Sequence, residues 1–281
     1  IDVSLVGSEM CIRDSSPFVD SYMNGYTPNP CLNCNRHVKF KALRERAKTL
    51  GATKVATGHY AQIKELTDGS YGLFTSLDTA KDQSYFLYAM TQKDLEQTLF
   101  PVGAMQKPAV RSYLSEHDCE VAYKDESQDI CFVADSAGAF VKREKNLAET
   151  QGKIVNSSGE ELGSHEGIHN YTIGQRRGLG ISARNPLYVI NIDPKENEIV
   201  LGEKDELQKE SFLVKDINWI SGSAPEDKII ANVKMRYRHS GVLCKIQVLD
   251  ETTARLSFVE DWSTVSPGQA AVFYKPEAEE D

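Results

Sequence analysis

The composition of the chain changes at Gln151, and this change limits the possible folds more than any other feature. Upstream, the apolar residues Val38, Phe40, Leu43, Ala47 and Leu50 keep roughly helical spacing along a run from Asn35, with Gly51 as a stop. Downstream, GKIVNSSGEELGSHEGIHNYTIGQRRGLGIS is rich in Gly and Ser and holds only short β-prone runs. Phe212 to Tyr274 then continues as short alternating segments, among them Ile229–Tyr237, Cys244–Val248 and Thr253–Phe258, a spacing that predicts a small β-barrel or sandwich. With 281 residues, more than one small core is needed. The reading is an α/β domain with a helical extension over 16–146, a central domain over 147–207, a β-barrel over 208–276 and a disordered acidic tail over 277–281.

Within the first part, Lys54–Ile63 reads as a strand and Tyr71–Ser76 as its hairpin partner across Asp68-Gly69. Thr57-Gly58-His59 suits a ligand at the carboxyl end of a strand, where glycine lets a nucleotide approach the backbone; a turn glycine and a structural histidine would look the same. Tyr85, Phe86, Leu87 and Tyr88 are assigned to the core. From Thr91 to Asn146 the pattern is helical in pieces broken by Pro101 and Pro108, with one helix at Arg111–His117. A second hairpin joins Leu187–Ile192 to Glu198–Leu201 across Asp193-Pro194. Residues 1–15, IDVSLVGSEMCIRDS, read as the translated remnant of a sequencing adapter and are given no function.

The chemistry concentrates in TPNPCLNCNR, Thr27 to Arg36. Pro28 and Pro30 bracket Asn29, so the backbone there is expected to be extended and non-helical, with Cys31 and Cys34 on a loop ahead of the basic helix. A thiol at such a place ionises readily. A CxxC also suits a zinc or iron-sulfur site, with Cys131 and His37 as further ligands, or a redox pair; no second CxxC occurs to complete a zinc site. Cys131, within ESQDICFV, has an apolar setting that equally suits an inert cysteine. Cys119 and Cys244 are read as inert.

Two basic stretches remain: Gly174–Gly180, GQRRGLG, where glycine and Arg176-Arg177 suit a phosphate, and Lys234–His239, KMRYRH. On a strand, the latter would put Arg236 and Arg238 on one face and Tyr237 on the other. A net charge of -9 opposes indiscriminate nucleic-acid binding but leaves room for such local sites. Six unevenly spaced cysteines argue against a disulfide scaffold and for a reducing compartment, the cytoplasm or an organellar matrix. There is no apolar run of membrane-spanning length and no secretory signal at the first residues.

Taken in order, TPNPCLNCNR, VATGHY, KDQSYFL, ESQDICF, HNYTIGQRRGLGI, RYR and PGQ resemble the tRNA-specific 2-thiouridylases, which replace the C2 oxygen of the wobble uridine with sulfur. The resemblance runs from about Pro17 to Tyr274. It implies a partial Rossmann-like ATP-pyrophosphatase domain, a small central domain and a C-terminal β-barrel. It also implies ATP with Mg2+, which adenylates the uracil oxygen, and a persulfide whose sulfur comes from a relay protein or a cysteine desulfurase. Carried over by position, Cys131 matches the persulfide carrier and Cys34 the nucleophile that closes a transient Cys34–Cys131 disulfide. Gly58 matches an ATP contact, and Asn29, Pro30 and Cys31 match the target-base region. His59, Lys81, Asp82, Gln83, Arg236, Tyr237 and Gln269 match tRNA contacts, and no metal ligand is implied. The competing class is a non-enzymatic RNA-binding module with a CxxC metal site.

Two departures follow. Family members often carry Asp where this sequence has Cys31, which leaves the proton-transfer role unassigned. The Ser-Gly-Gly-x-Asp-Ser phosphate loop of the family does not occur in the 281 residues. The expectation is therefore an N-terminally truncated chain, inactive in adenylation, with missing central strands and apolar surface left uncovered.

Overall fold

The computed structural model describes residues 16–123, 133, 136–146, 151–259 and 264–276. A helix over 16–23 (α1) leads into a segment without regular structure at 26–29, extended at Asn29, and helix resumes at Pro30. From there α2 (Pro30–Asn33), a π-helical segment (Cys34–Ala42) and α3 (Leu43–Thr49) form one unbroken helical run. The expected loop is thus confined to the residues before Pro30. A proline at the first helical position lacks only an N–H that the helix leaves unpaired anyway, so Pro30 starts the helix instead of excluding it. The same reasoning corrects Pro108, which lies in the first turn of α5 (Lys107–Glu116) and does not break it.

The strand expected over Lys54–Ile63 is split. Val55–Ala56 (β1) pairs in parallel with Thr98–Leu99 (β4), which follows α4 (Gln92–Glu96), while Ala61–Glu65 (β2) forms the expected antiparallel hairpin with Tyr71–Thr75 (β3). Phe40, Ala61, Leu87, Met90 and Leu95 are buried together between the helical run and this hairpin. Tyr85 and Leu87 are buried, as expected; Leu50 and Leu99, the latter on β4, are exposed. Gly103 admits no side chain, since a Cβ there would stand 1.7 Å from the Ala61 carbonyl oxygen. Helix α6 (Ala137–Glu144) puts Phe140 and Val141 against Phe18, Val19 and Tyr22 of α1.

The central sheet contains Gly152–Asn156 (β5), Glu161–His165 (β6), Tyr188–Asp193 (β7) and Glu198–Gly202 (β8), in the order β6-β5-β8-β7 with β5 and β8 parallel. The expected hairpin across Asp193-Pro194 is the β7–β8 pair. The last sheet is antiparallel and five-stranded, Ser211–Val214 (β9), Ile229–Lys234 (β10), Val242–Asp250 (β11), Thr253–Phe258 (β12) and Val272–Tyr274 (β13), ordered β13-β10-β11-β12-β9. Its core includes Val233, Cys244, Ile246, Ala254 and Leu256, alternate residues on facing strands. Burial pushes the Cys244 thiol up to about 11, which suits its assignment as inert. Strand β10 ends at Lys234, so Arg236–Arg238 is a turn, closed by the His239 amide donating to the Arg236 carbonyl at 3.0 Å. The strand alternation expected there does not exist.

Candidate functional site

Asn29 holds the entry to the helical run. Its backbone is extended, and its side-chain oxygen accepts the Cys31 amide at 3.1 Å, which satisfies one of the unpaired donors of the first turn. Cys31 and Cys34, three residues apart on a helix, share a face, and both are half-buried. Cys34 stands at the start of the π segment, past the first turn where the dipole acts most strongly, so the loop argument for its reactivity does not carry over. Between them Leu32 is buried with Tyr85 and Val272, in a cluster that joins the CxxC helix to the last sheet.

The last sheet grips this region from outside. The Thr27 amide donates to the Pro267 carbonyl at 3.0 Å, and the Gln269 side chain donates back to the Thr27 carbonyl. Gln269, a sequence-predicted RNA contact, therefore holds the segment two residues before Asn29. The Tyr85 hydroxyl donates to the Ala270 carbonyl at 3.0 Å, and the Ser84 and Tyr274 hydroxyls pair at 3.0 Å. Asn218, which sequence reading missed, donates to the carbonyls of both Tyr88 and Met90, at 2.8 and 2.9 Å. Asn35, also missed, is buried and donates to the Phe86 carbonyl at 3.2 Å.

The KDQ and RYR segments meet. The Tyr237 ring lies 4.4 Å from that of Phe86, and its phenol is raised chiefly by burial and then by Asp82, with Arg238 and Lys81 opposing. Arg238 is exposed and Lys81 half-buried. Asp82 faces inward: only 8% exposed, it accepts the Ser76 amide at 2.9 Å and the Ser84 hydroxyl at 2.7 Å. Gln83 clasps Tyr60, its side-chain oxygen accepting the Tyr60 amide at 2.9 Å and its own amide donating to the Tyr60 carbonyl at 2.7 Å. Arg236 donates to the Ile173 carbonyl at 3.3 Å and to the Ser266 hydroxyl, so it joins the last sheet to the central domain.

Gly58 lies just beyond the carboxyl end of parallel strand β1, exposed, with open space where a side chain would project. This is the setting in which open α/β sheets receive ligands. Its neighbour His59 is buried between Phe40 and Phe100 and pairs with the Thr57 hydroxyl at 2.8 Å. Burial, helped by nearby Lys39, lowers its pKa to about 4, so the ring is neutral at pH 7. Arg44, on the helical run, is paired with Asp94. In the Gly174–Gly180 loop Arg176 and Arg177 are exposed while Leu179 is buried. Cys131 and the rest of ESQDICF lie outside the described residues, so the pairing of Cys34 with Cys131 is argued from sequence alone.

Family models match in the order of these parts: a tRNA methyl transferase HUP domain over residues 11–135, a tRNA methyl transferase PRC-barrel domain over 139–203 and an aminomethyltransferase beta-barrel domain over 209–278. The tRNA-specific 2-thiouridylase MnmA of Geotalea uraniireducens is 45% identical over 258 residues, covering 92% of this chain and 68% of the relative. The chain belongs to the tRNA-specific 2-thiouridylase family. The corresponding thiouridylases of Rickettsia bellii and Solibacter usitatus are 46% and 44% identical, again over 92% of this chain and over 70% and 72% of their own lengths. Although the first two family models carry the words methyl transferase, the relatives aligned along nearly the whole chain are thiouridylases. The α/β, central and β-barrel architecture expected for a 2-thiouridylase agrees with the three matched domains and with the sheets described. Among the described residues no helix is long and apolar enough to cross a membrane.

Proposed function

We propose that this chain is a tRNA-uridine 2-sulfurtransferase in which Cys131 carries the persulfide and Cys34 resolves it. In the complete reaction the uracil C2 oxygen is adenylated, and the terminal persulfide sulfur attacks C2 and expels AMP. The Cys34 thiolate then attacks Cys131 Sγ, breaking the S–S bond, so that sulfur stays on C2 and a Cys34–Cys131 disulfide forms. Alternatively Cys34 attacks first and frees sulfide, which itself attacks C2. Both routes end with the same disulfide, which an external thiol must reduce by two electrons. A flipped-out base in a single-stranded anticodon loop is what such chemistry can reach.

Support comes from the gripping of Thr27–Cys34 by the last sheet, the observation that carries the reading. It fixes a half-buried thiol at the meeting point of two domains, where a base held on one can be presented to the other. The RNA side divides by chemistry: Lys81, Tyr237 and Arg238 offer cationic and aromatic groups, whereas Asp82, Gln83 and His59 hold the surface that presents them. For ATP the residues fit only in part. Gly58 suits a nucleotide approach, but a cradle of backbone N–H groups for pyrophosphate has no counterpart of the family type in these 281 residues. No adenylation step is therefore assigned to the side chains of the described residues.

Cytoplasmic action and sulfur supply by a relay protein or a desulfurase belong to the same proposal. Its test is to load the protein with cysteine and a cysteine desulfurase, alkylate, and map the sulfur. An added sulfur on Cys131, absent from Cys119 and Cys244, supports the reading; stoichiometric zinc lost on Cys34→Ser contradicts it in favour of a metal-bearing RNA module.

A further inference from the structure

The turn Ser266-Pro267-Gly268-Gln269 touches all three parts of the molecule. Ser266 is buried; its hydroxyl donates to the Ile173 carbonyl of the central domain at 3.2 Å and accepts from Arg236. The turn closes through the Gln269 amide and the Ser266 carbonyl, at 3.3 Å. On its other side lies Thr27, held by Pro267 and Gln269. Gly268 has φ +93°, and a Cβ there would come within 3.0 Å of the Thr27 amide nitrogen and of Tyr26 Cβ. Across the junction Gly174 has φ +85°, and a Cβ on it would stand 2.8 Å from Thr264 Cγ2 and 3.4 Å from the Arg236 guanidinium. Both glycines take a backbone conformation that L side chains rarely adopt, and both have close neighbours across the junction.

We propose that Ser266 and Gly268 are positioning residues that set where the Asn29–Cys34 segment lies relative to the RNA-facing surface. The inference rests on the sulfurtransferase reading and deepens it. The argument is geometric. Thr27 is tied on both its N–H and its C=O, and two residues later Asn29 caps the helix that carries Cys31 and Cys34. A shift of the turn must move the helix entry, because Pro28 and Pro30 leave little backbone freedom between Thr27 and the first turn. The Ser266 hydroxyl fixes the turn to Ile173 and to Arg236, so an RNA phosphate engaging Arg236 would act on the same joint. Ser266 is buried and Gly268, though exposed, lies against Tyr26 and Thr27, so both serve through Thr27 and not through contact with substrate.

The test uses the full chain without ATP. Ser266→Ala and Gly268→Ala should each speed hydrogen exchange across 27–34 by about tenfold and change the rate and pH profile of Cys34 alkylation, as expected for local opening. Exchange in β11 and β12 should stay as in the unaltered protein, which shows the sheet intact, and the dissociation constant for tRNA should stay within about twofold if the turn only positions. Ser266→Thr, which keeps the hydroxyl, should restore the exchange rate. Unchanged exchange at 27–34 in both variants would overturn the proposal, as would tenfold weaker tRNA binding with unchanged exchange, which would make the turn an RNA contact. If the unaltered protein binds no tRNA, the sulfurtransferase reading fails, while the exchange comparison still decides whether this turn positions Cys34.

Discussion

Replacing Asp82 with alanine removes a carboxylate that accepts the buried Ser76 amide at 2.9 Å and the buried Ser84 hydroxyl at 2.7 Å. The Ser84 amide, at 3.4 Å, is a weaker third partner. Hydrogen bonds to a charged group contribute about 1.5–3 kcal/mol each, and a buried donor left without one costs a similar amount. Ser84 keeps the Tyr274 hydroxyl, so the larger loss falls on the Ser76 amide. Together these give about 3 kcal/mol of local stability, or roughly a hundredfold faster exchange of the Ser76 and Ser84 amides. Asp82→Asn keeps an acceptor for Ser76 and should cost about a third of that. Native-state hydrogen exchange measures both, and filter binding measures tRNA affinity alongside. Asp82 is 8% exposed and its carboxylate is engaged by Ser76 and Ser84, so on this reasoning Asp82→Asn should leave tRNA affinity within about twofold. A cost below about 1 kcal/mol for alanine, or tenfold weaker tRNA binding by Asp82→Asn with unchanged exchange, would refute this reasoning.

Other consequences follow from the same packing. His59 has a folded pKa lowered to about 4 against 6.5 when unfolded, so its contribution is fully present above pH 6.5 and lost as the pH falls toward 4. Up to about 3 kcal/mol of stability should go over that window, and His59→Gln should flatten the loss in pH-dependent thermal unfolding. Gly58→Ala, with open space around it, should stay within about 0.5 kcal/mol of the unaltered protein in stability. Gly103→Ala, whose Cβ would collide with the Ala61 carbonyl, should disrupt the β2–β3 hairpin and lower the melting temperature sharply. Asn218→Ala strands the Tyr88 and Met90 carbonyls and should cost about 2 kcal/mol at the contact between first domain and last sheet, read as increased proteolysis near Tyr88.

Elements with a local signature were legible in the sequence. Asp68-Gly69 and Asp193-Pro194 mark their turns because glycine takes φ +81° in the first and Asp193 accepts the Lys195 amide in the second. Proline gives the wrong signal twice: Pro30 and Pro108 suggest breaks, yet each sits where a helix starts and its missing N–H costs nothing. Alternation in KMRYRH suggested a strand, but the Arg236–His239 hydrogen bond turns the chain there. The junction that holds the CxxC helix was hidden for a different reason. Its acceptors are main-chain carbonyls of Thr27, Tyr88, Met90, Ile173 and Ala270, and a carbonyl leaves no trace in residue identity. Gln269 and Arg236 stood out as polar residues in recognisable motifs, but only the fold shows them joining domains.

The most direct trial of the sulfur-transfer account is peptide mapping under non-reducing conditions after persulfide loading. The protein is charged with a desulfurase and cysteine, left to react, and digested. The account predicts sulfide release and a peptide pair joining Cys34 to Cys131, both lost in Cys34→Ser. A Cys34 that stays fully alkylatable after loading, or that couples to Cys31 instead, would contradict it.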